Sequence, residues 1–397
     1  MNLDQVAFLR QDEISVLINT LEVTEHNHLQ VAAKLRRSWS VEQTHAILET
    51  AILRKKAKSK FAAAEQMLFT RAGLEQASGE VISEYRAKKF FSHNFDQIAD
   101  MCCGIGGDSL AYAADASVVG IDIDAVRLAM ADHNAQRLSL SHRFKILEAD
   151  LLKLEPLSNV DAFFFDPGRR TAAGKRIYRL SEYLPPANLI NRWLSTVPHG
   201  GVKISPGIDY AELPNTALAS VEFVSVNGQV REAILWYGAL KHDAGRKATL
   251  LPSGATLTQR SEVPAAAEGP IKHWLYEPDG AVIRAHLVKE LAAILDGNQI
   301  DASIALLTAD NYHQTPFARA FEVVDSMPFQ LKRLRQYLRQ NDIGRIVVKK
   351  RGSPLDPQWL EKQLKPKGDK GATLFLTQVS GEPTVVICRQ AYATAHL

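Results

Sequence analysis

Cysteine is scarce in this 397-residue chain: Cys102, Cys103 and Cys388 are all there is, and two of them are adjacent. No disulfide framework or Cys-rich zinc site can be built from that set, which points to a reducing compartment. Proline is missing from residues 1–90, and Gly73 and Gly79 are the only glycines there. Long apolar runs are missing too. None approaches the roughly 18 residues of a membrane-spanning helix. The opening segment runs into Arg10, Asp12 and Glu13 before any stretch resembling a signal peptide. The expectation is a cytoplasmic protein with no membrane partner. The 12 histidines show no metal-ligand spacing, so no metal is expected. The formal net charge of +3 says little alone. A composition 46% hydrophobic and 23% charged is that of a globular chain and excludes disorder as the main state. At roughly 100–200 residues per domain, the length suggests two or three domains.

What is present divides the chain into stretches. Residues 1–90 read as an N-terminal helical domain, with Ile47, Leu48, Ala51 and Ile52 at helical spacing. A basic run there, Arg54-Lys55-Lys56, reads as a solvated helix face. Residues 91–240 alternate strands with helices, the signature of a mostly parallel sheet. Asn227-Gly228 marks a hairpin that closes it. Residues 241–270 read as a linker. Residues 271–397 read as an α+β domain, with helices over 282–295 and 328–339 and strands over 303–308, 346–350, 373–379 and 384–388.

The segment Asp100-Met101-Cys102-Cys103-Gly104-Ile105-Gly106-Gly107-Asp108 joins a strand to a helix. Glycines there let the backbone turn tightly and approach a ligand. Asp122 follows at the end of the second strand, where a carboxylate can accept both hydroxyls of a ribose. That geometry suits a dinucleotide and S-adenosylmethionine equally. Asp100 and Asp108 would repel a pyrophosphate but suit the ammonium and sulfonium of S-adenosylmethionine. Position 109 is Ser, where the dinucleotide fingerprint has glycine. Asp150 closes the third strand, either as an acceptor for the adenine amine or as a helix cap. Loop, Asp122, Asp150 and Asp166 thus mark the C-terminal ends of four consecutive strands, where open α/β sheets bind ligands. The adjacent cysteines read as small buried residues of the loop, with covalent catalysis as the minor alternative.

On these residues the chain resembles the class I S-adenosylmethionine-dependent methyltransferases, which have a Rossmann-like α/β core. Its Cys102-Cys103-Gly104-Ile105-Gly106-Gly107 loop is similar to that of the trimethylguanosine-synthase-like branch. More widely, it resembles bacterial methyltransferases that carry a C-terminal THUMP-like domain, here about 325–392. The matching pieces are Phe69-Thr70-Arg71-Ala72-Gly73-Leu74-Glu75-Gln76, the loop, Asp166-Pro167-Gly168-Arg169-Arg170, Ser205-Pro206-Gly207, and Ile343-Gly344-Arg345 with Lys349-Lys350-Arg351-Gly352. The resemblance implies S-adenosylmethionine as cofactor, held by Asp100, Cys102, Gly104, Gly106, Asp122, Ile123, Asp150 and Leu151. It implies Asp166 and Pro167 as the catalytic pair, orienting a target amine through a side chain and a carbonyl. Amino-methyltransferases have a second proline and an aromatic residue after that proline. Gly168 and Arg169 stand there instead, and Arg169 can stack on a base, bind phosphate or neutralise a carboxylate.

Between Pro328 and Lys370 there are 12 basic and 4 acidic residues. Such a local surplus is the footprint of a nucleic-acid surface. THUMP domains bind RNA, so the resemblance implies RNA as partner, with Arg169, Arg170, Lys349, Lys350 and Arg351 on the substrate. The expectation is a methyltransferase acting on a base nitrogen of RNA. A methyltransferase for a small molecule or protein, and a non-catalytic S-adenosylmethionine-binding protein that holds RNA, are the competing readings.

Overall fold

The computed structural model describes residues 1–24, 26–169, 177, 179–214 and 217–390. It divides into two compact units, Met1–Ser220 with Ile234–His242, and Val221–Ala233 with Asp243–Leu397.

The first unit opens with α1 (Leu3–Leu9), α2 (Asp12–Thr20), α3 (His28–Leu35), α4 (Val41–Ala57), α5 (Arg71–Gln76) and α6 (Glu80–Phe91). Helix α4 starts where Ser40 and Gln43 cap each other's backbone N–H groups. It buries Ile47, Leu48, Leu53 and Ala57. The basic run on α4 departs from the solvated face expected of it. Lys55 and Lys56 are exposed, but Arg54 is buried and donates to the Met67 carbonyl, the Asn19 side chain and Ser15 Oγ. A guanidinium with several fixed acceptors can leave water; its burial pulls its pKa down to about 10.

The core of the same unit runs through β1 (Gln97–Met101), α7 (Gly107–Tyr112), β2 (Ser117–Asp122), α8 (Ala125–Arg137), β3 (Phe144–Glu148), β4 (Ala162–Phe165), α9 (Ile190–Leu194) and β5 (Gly200–Ile204); β6 (Ala219–Val226) and β7 (Gln229–Tyr237) follow, divided between the two units after Ser220 and after Ala233. The strands are ordered β3-β2-β1-β4-β5, with β7 beyond β5. The pairs among the first five are all parallel. The α/β fold class expected from the alternation is therefore present. Strand order reverses between β1 and β4, the switch point where such sheets open a crevice at their C-terminal ends. Strand β4 is apolar throughout because it is covered on both faces. Its Phe163 ring fills the place where a side chain at position 200 would stand, so only glycine fits there.

The second unit holds β8 (Arg246–Leu251), parallel to β6 and antiparallel to β9 (Ala255–Thr258), within the stretch read as a linker. Then come β10 (Trp274–Pro278), α10 (Gly280–Arg284), α11 (Val288–Ile294), β11 (Asn298–Asp301), β12 (Ile304–Ala309), β13 (Ala318–Pro328), α12 (Leu331–Gln340), β14 (Ile343–Lys350), α13 (Pro357–Leu364), β15 (Lys370–Val379) and β16 (Glu382–Gln390). The last seven strands from β10 form one sheet, β11-β12-β10-β13-β16-β15-β14. Two expectations change here. The helix over 282–295 is two helices, because His286 takes a left-handed backbone between them. The helix expected from Pro328 starts at Leu331, since 318–328 is a long strand. Leu334 and Leu338 of α12 and Leu360 and Leu364 of α13 pack on Leu374, Leu376, Val385 and Ile387 of the sheet.

Candidate cofactor and acceptor site

The turn after β1 is built on left-handed residues: Cys102 at φ +65°, Gly104 at +57° and Gly106 at +84°. Asp122, at the end of β2, holds it in place. One carboxylate oxygen accepts the Gly104 N–H and the other the Asp124 N–H, both at 2.9 Å. Each oxygen keeps a further lone pair. A Cβ at Gly104 would enter open space, whereas one at Gly106 would press on Ala131 at 3.2 Å. Gly104 therefore borders open space and Gly106 faces α8. Next to Asp122, Ile123 is 69% exposed, an apolar surface beside the carboxylate.

The acids that flank the loop behave differently from the expectation that their charges face a ligand. Asp108 is paired with the fully buried Arg86 of α6, 2.5 Å away, and that guanidinium also lies over the Phe164 ring. Its charge is spent inside the fold. Asp100 is 1% exposed and accepts from Ser109 Oγ at 2.5 Å. Burial, then the Asp108 charge, push its pKa well above the usual carboxylate range. Neither charge is thus freely presented to a ligand, and the electrostatic case against a pyrophosphate loses most of its force. Burial and neighbouring carboxylates likewise push both loop thiols up, so neither is a ready nucleophile.

Asp150 follows β3. One oxygen accepts the Leu152 N–H at 3.0 Å and the other lies 3.7 Å from Lys153 Nζ. It therefore caps a turn. The Leu151 side chain is buried, and its carbonyl accepts from Arg192 at 2.8 Å.

Asp166, just past β4, is anchored twice. Its N–H donates to the Met101 carbonyl at 3.2 Å, and one carboxylate oxygen lies 2.6 Å from Lys203 Nζ. Pro167 is buried behind it. Arg169 donates to the Ile204 carbonyl at 3.1 Å, at the end of β5. Of the three readings left open for Arg169, the contact formed is with this carbonyl. Tyr183, fully buried, accepts the Ser205 N–H at 2.9 Å. Arg170 lies outside the described residues.

Two features of this site escaped the sequence reading. Lys203 is a charged residue in a strand otherwise made of glycine and β-branched residues, which is itself a sign of a buried partner. It also meets Ser78 Oγ at 3.1 Å. The second feature is the contribution of 68–78. The buried Asn134 of α8 bonds the Leu68 N–H and carbonyl and the Ile105 carbonyl. A Cβ at Gly73 would stand 2.8 Å from the Ile105 side chain. The Phe69–Leu74 motif thus supports the glycine turn from behind.

In the second unit the basic triplet is largely paired. Lys349 and Arg351 both grip Glu277, which is buried. Among the described residues Lys350 reaches only the Pro354 carbonyl, at 3.4 Å. Lys332, Arg333 and Arg339 of α12 and Arg345 of β14 are exposed. Among the described residues no cluster could hold a metal ion, and no helix is long and apolar enough to cross a membrane.

Comparison with known proteins places this geometry in a family. Residues 95–205 match the RNA cap guanine-N2 methyltransferase family, and residues 318–390, from β13 to β16, match the THUMP domain-like family. Two uncharacterized S-adenosylmethionine-dependent methyltransferases of Mycobacterium tuberculosis, from strains CDC 1551 / Oshkosh and ATCC 25618 / H37Rv, are each 33% identical over 361 residues, spanning 86% of this chain and 96% of theirs. The crystal structure of a provisionally named methyltransferase from Porphyromonas gingivalis W83 superposes with a TM-score of 0.73 over 94% of this chain and 100% of that one. At 22% identity, that likeness shows the fold alone. The chain belongs to the S-adenosylmethionine-dependent methyltransferases, with a class I core, a THUMP-like C-terminal part and S-adenosylmethionine as its cofactor.

Proposed function

We propose that this enzyme methylates a base nitrogen of RNA in the cytoplasm. The observation that carries the reading is Asp166, at the end of β4 and anchored to the Met101 carbonyl beside the glycine turn, with one oxygen held by Lys203. A carboxylate fixed there can accept an N–H and turn the nitrogen lone pair toward the reacting carbon, and orientation supplies much of the rate of such a displacement. The match to an RNA cap guanine-N2 methyltransferase family and to a THUMP-like domain supports RNA as the substrate class.

S-adenosylmethionine fits the residues present. The space beside Gly104 is open, so a ligand can approach the backbone there, and the spare lone pairs of Asp122 suit ribose hydroxyls. Asp100, Cys102, Gly104, Gly106 and Asp122 would form its floor, and Ile123, Asp150 and Leu151 the adenine side. When bound, it supplies a methyl group on a sulfonium. Pro167 would add its carbonyl to the acceptor contact, and Arg169 would close the base side. In the second unit Lys350, Arg345 and the exposed cations of α12 would meet the RNA backbone.

The test is methyl transfer from labelled S-adenosylmethionine to total RNA from cells lacking the protein. Label in a base-methylated nucleoside is the expected result. Label confined to protein or small molecules would overturn the RNA reading.

A further inference from the structure

Lys203 lies in β5, whose five residues are all buried, and is itself 4% exposed. An ammonium leaves water only where a counter-charge and hydrogen bonds replace its hydration. Here those are Asp166 Oδ2 at 2.6 Å and Ser78 Oγ at 3.1 Å. Ser78 comes from the short connection between α5 and α6, 125 residues earlier in the chain. The Asp166 side chain is 22% exposed, and its Oδ1 makes no hydrogen bond to another described residue. The other groups that feel the Asp166 charge are Asp100 and Cys102 from β1 and its turn, and Tyr183 from the segment before α9. Arg169, three residues on, is engaged at the Ile204 carbonyl. Among the described residues Lys203 is therefore the cation that restrains Asp166 against its acidic neighbours.

We propose that Lys203 is a positioning residue for methyl transfer: braced by Ser78, its ammonium holds one oxygen of Asp166 so that the other is presented to the acceptor. This rests on the reading of Asp166 as the acceptor-orienting group. It also makes the N-terminal helical segment, through Ser78, part of the working site.

Full-length wild type, Lys203→Met, Lys203→Arg, Ser78→Ala and Asp166→Ala are compared in three measurements: calorimetric affinity for S-adenosylmethionine, steady-state methyl transfer to the total RNA described above, and crystal structures without ligand. Lys203→Met is expected to lower kcat about 100-fold, the scale of a misplaced reacting group. Affinity for S-adenosylmethionine and the half-saturating RNA concentration should stay within about threefold, because turnover and binding separate when only positioning is lost. Lys203→Arg should recover most of the turnover, and Ser78→Ala should lose about threefold to tenfold. In the Lys203→Met crystal, Asp166 should leave its wild-type rotamer. Wild-type kcat in Lys203→Met, an unmoved Asp166, or an equal loss of cofactor affinity would each overturn the proposal. Should Lys203→Met not fold, unchanged kcat in Ser78→Ala overturns it instead. Full turnover in Asp166→Ala would sink the reading of Asp166 beneath it; loss in Asp166→Ala with none in Lys203→Met would sink this inference alone.

Discussion

Cys102 occupies a position that its own chemistry disfavours. At φ +65° a side chain costs roughly 1–2 kcal/mol, which glycine avoids. Cys102→Gly should therefore fold with stability within about 1 kcal/mol of wild type, because relief of that strain offsets the lost packing and glycine's larger unfolded-state entropy. Cys102→Val, β-branched at the same backbone, should be clearly destabilised. Chemical unfolding of the two variants checks this; equal stability would mean the turn rearranges freely. Asp122 accepts two backbone N–H groups, and the proposed function gives it a second task at the cofactor. Asp122→Ala should cost about 1–3 kcal/mol in stability through the orphaned donors. It should also weaken S-adenosylmethionine binding roughly tenfold or more by loss of a charged acceptor. Calorimetry on the folded variant decides; unchanged affinity would remove Asp122 from the cofactor site.

Elements packed behind the glycine turn set its shape. Helix α5 presents Gly73 to Ile105 with no room for a methyl group, 2.8 Å from the nearest side-chain carbon. Gly73→Ala should therefore displace the turn and weaken S-adenosylmethionine binding several-fold, with helical content unchanged or slightly raised, since alanine favours helix. Wild-type affinity in that variant would show that the turn yields. Helix α8 carries a second device, His133, whose Nε2 lies 3.3 Å from the Gln66 carbonyl. Burial, then Arg137, lower its pKa from 6.5 to about 4. In the unfolded chain it binds a proton as pH falls through 6.5, while in the folded chain it stays neutral until about 4. The unfolded state gains protons over that window, so stability should fall as pH drops from about 6.5 to 4. Urea midpoints across that range, compared with His133→Gln, check the sign; a parallel decline in the variant would assign the effect elsewhere.

Across the whole molecule, the 12 basic residues between Pro328 and Lys370 divide by their partners rather than by their position in the chain. Replacing Lys332, Arg333 and Arg339 by Ala should weaken RNA binding and flatten its salt dependence by about 0.7–0.9 in log–log slope per lost phosphate contact. Replacing Lys349 and Arg351 should act first on stability, because it leaves Glu277 buried without its counter-charges. Salt-titrated binding beside thermal unfolding separates the two sets. An unchanged slope in the α12 variant would make that face a solvated surface only, and a small-molecule or protein acceptor would then lead.

The linear chain was enough to determine the parallel core, the glycine turn and the carboxylates at the strand ends. Those rest on local rules: alternation of apolar runs with amphipathic segments, turn chemistry, and residues at the ends of strands. The long strand Ala318–Pro328 was not legible, because charged residues interrupt its apolar ones and it is recognised only once β10 and β16 pair with it. The electrostatics of the site were not legible either. Asp108 finds Arg86 22 residues earlier, Asp166 finds Lys203 37 later, and Glu277 finds Lys349 72 later. A charge removed from water must find a counter-charge wherever the fold brings one. Which charges remain to act on cofactor and substrate was therefore decided only by the tertiary structure.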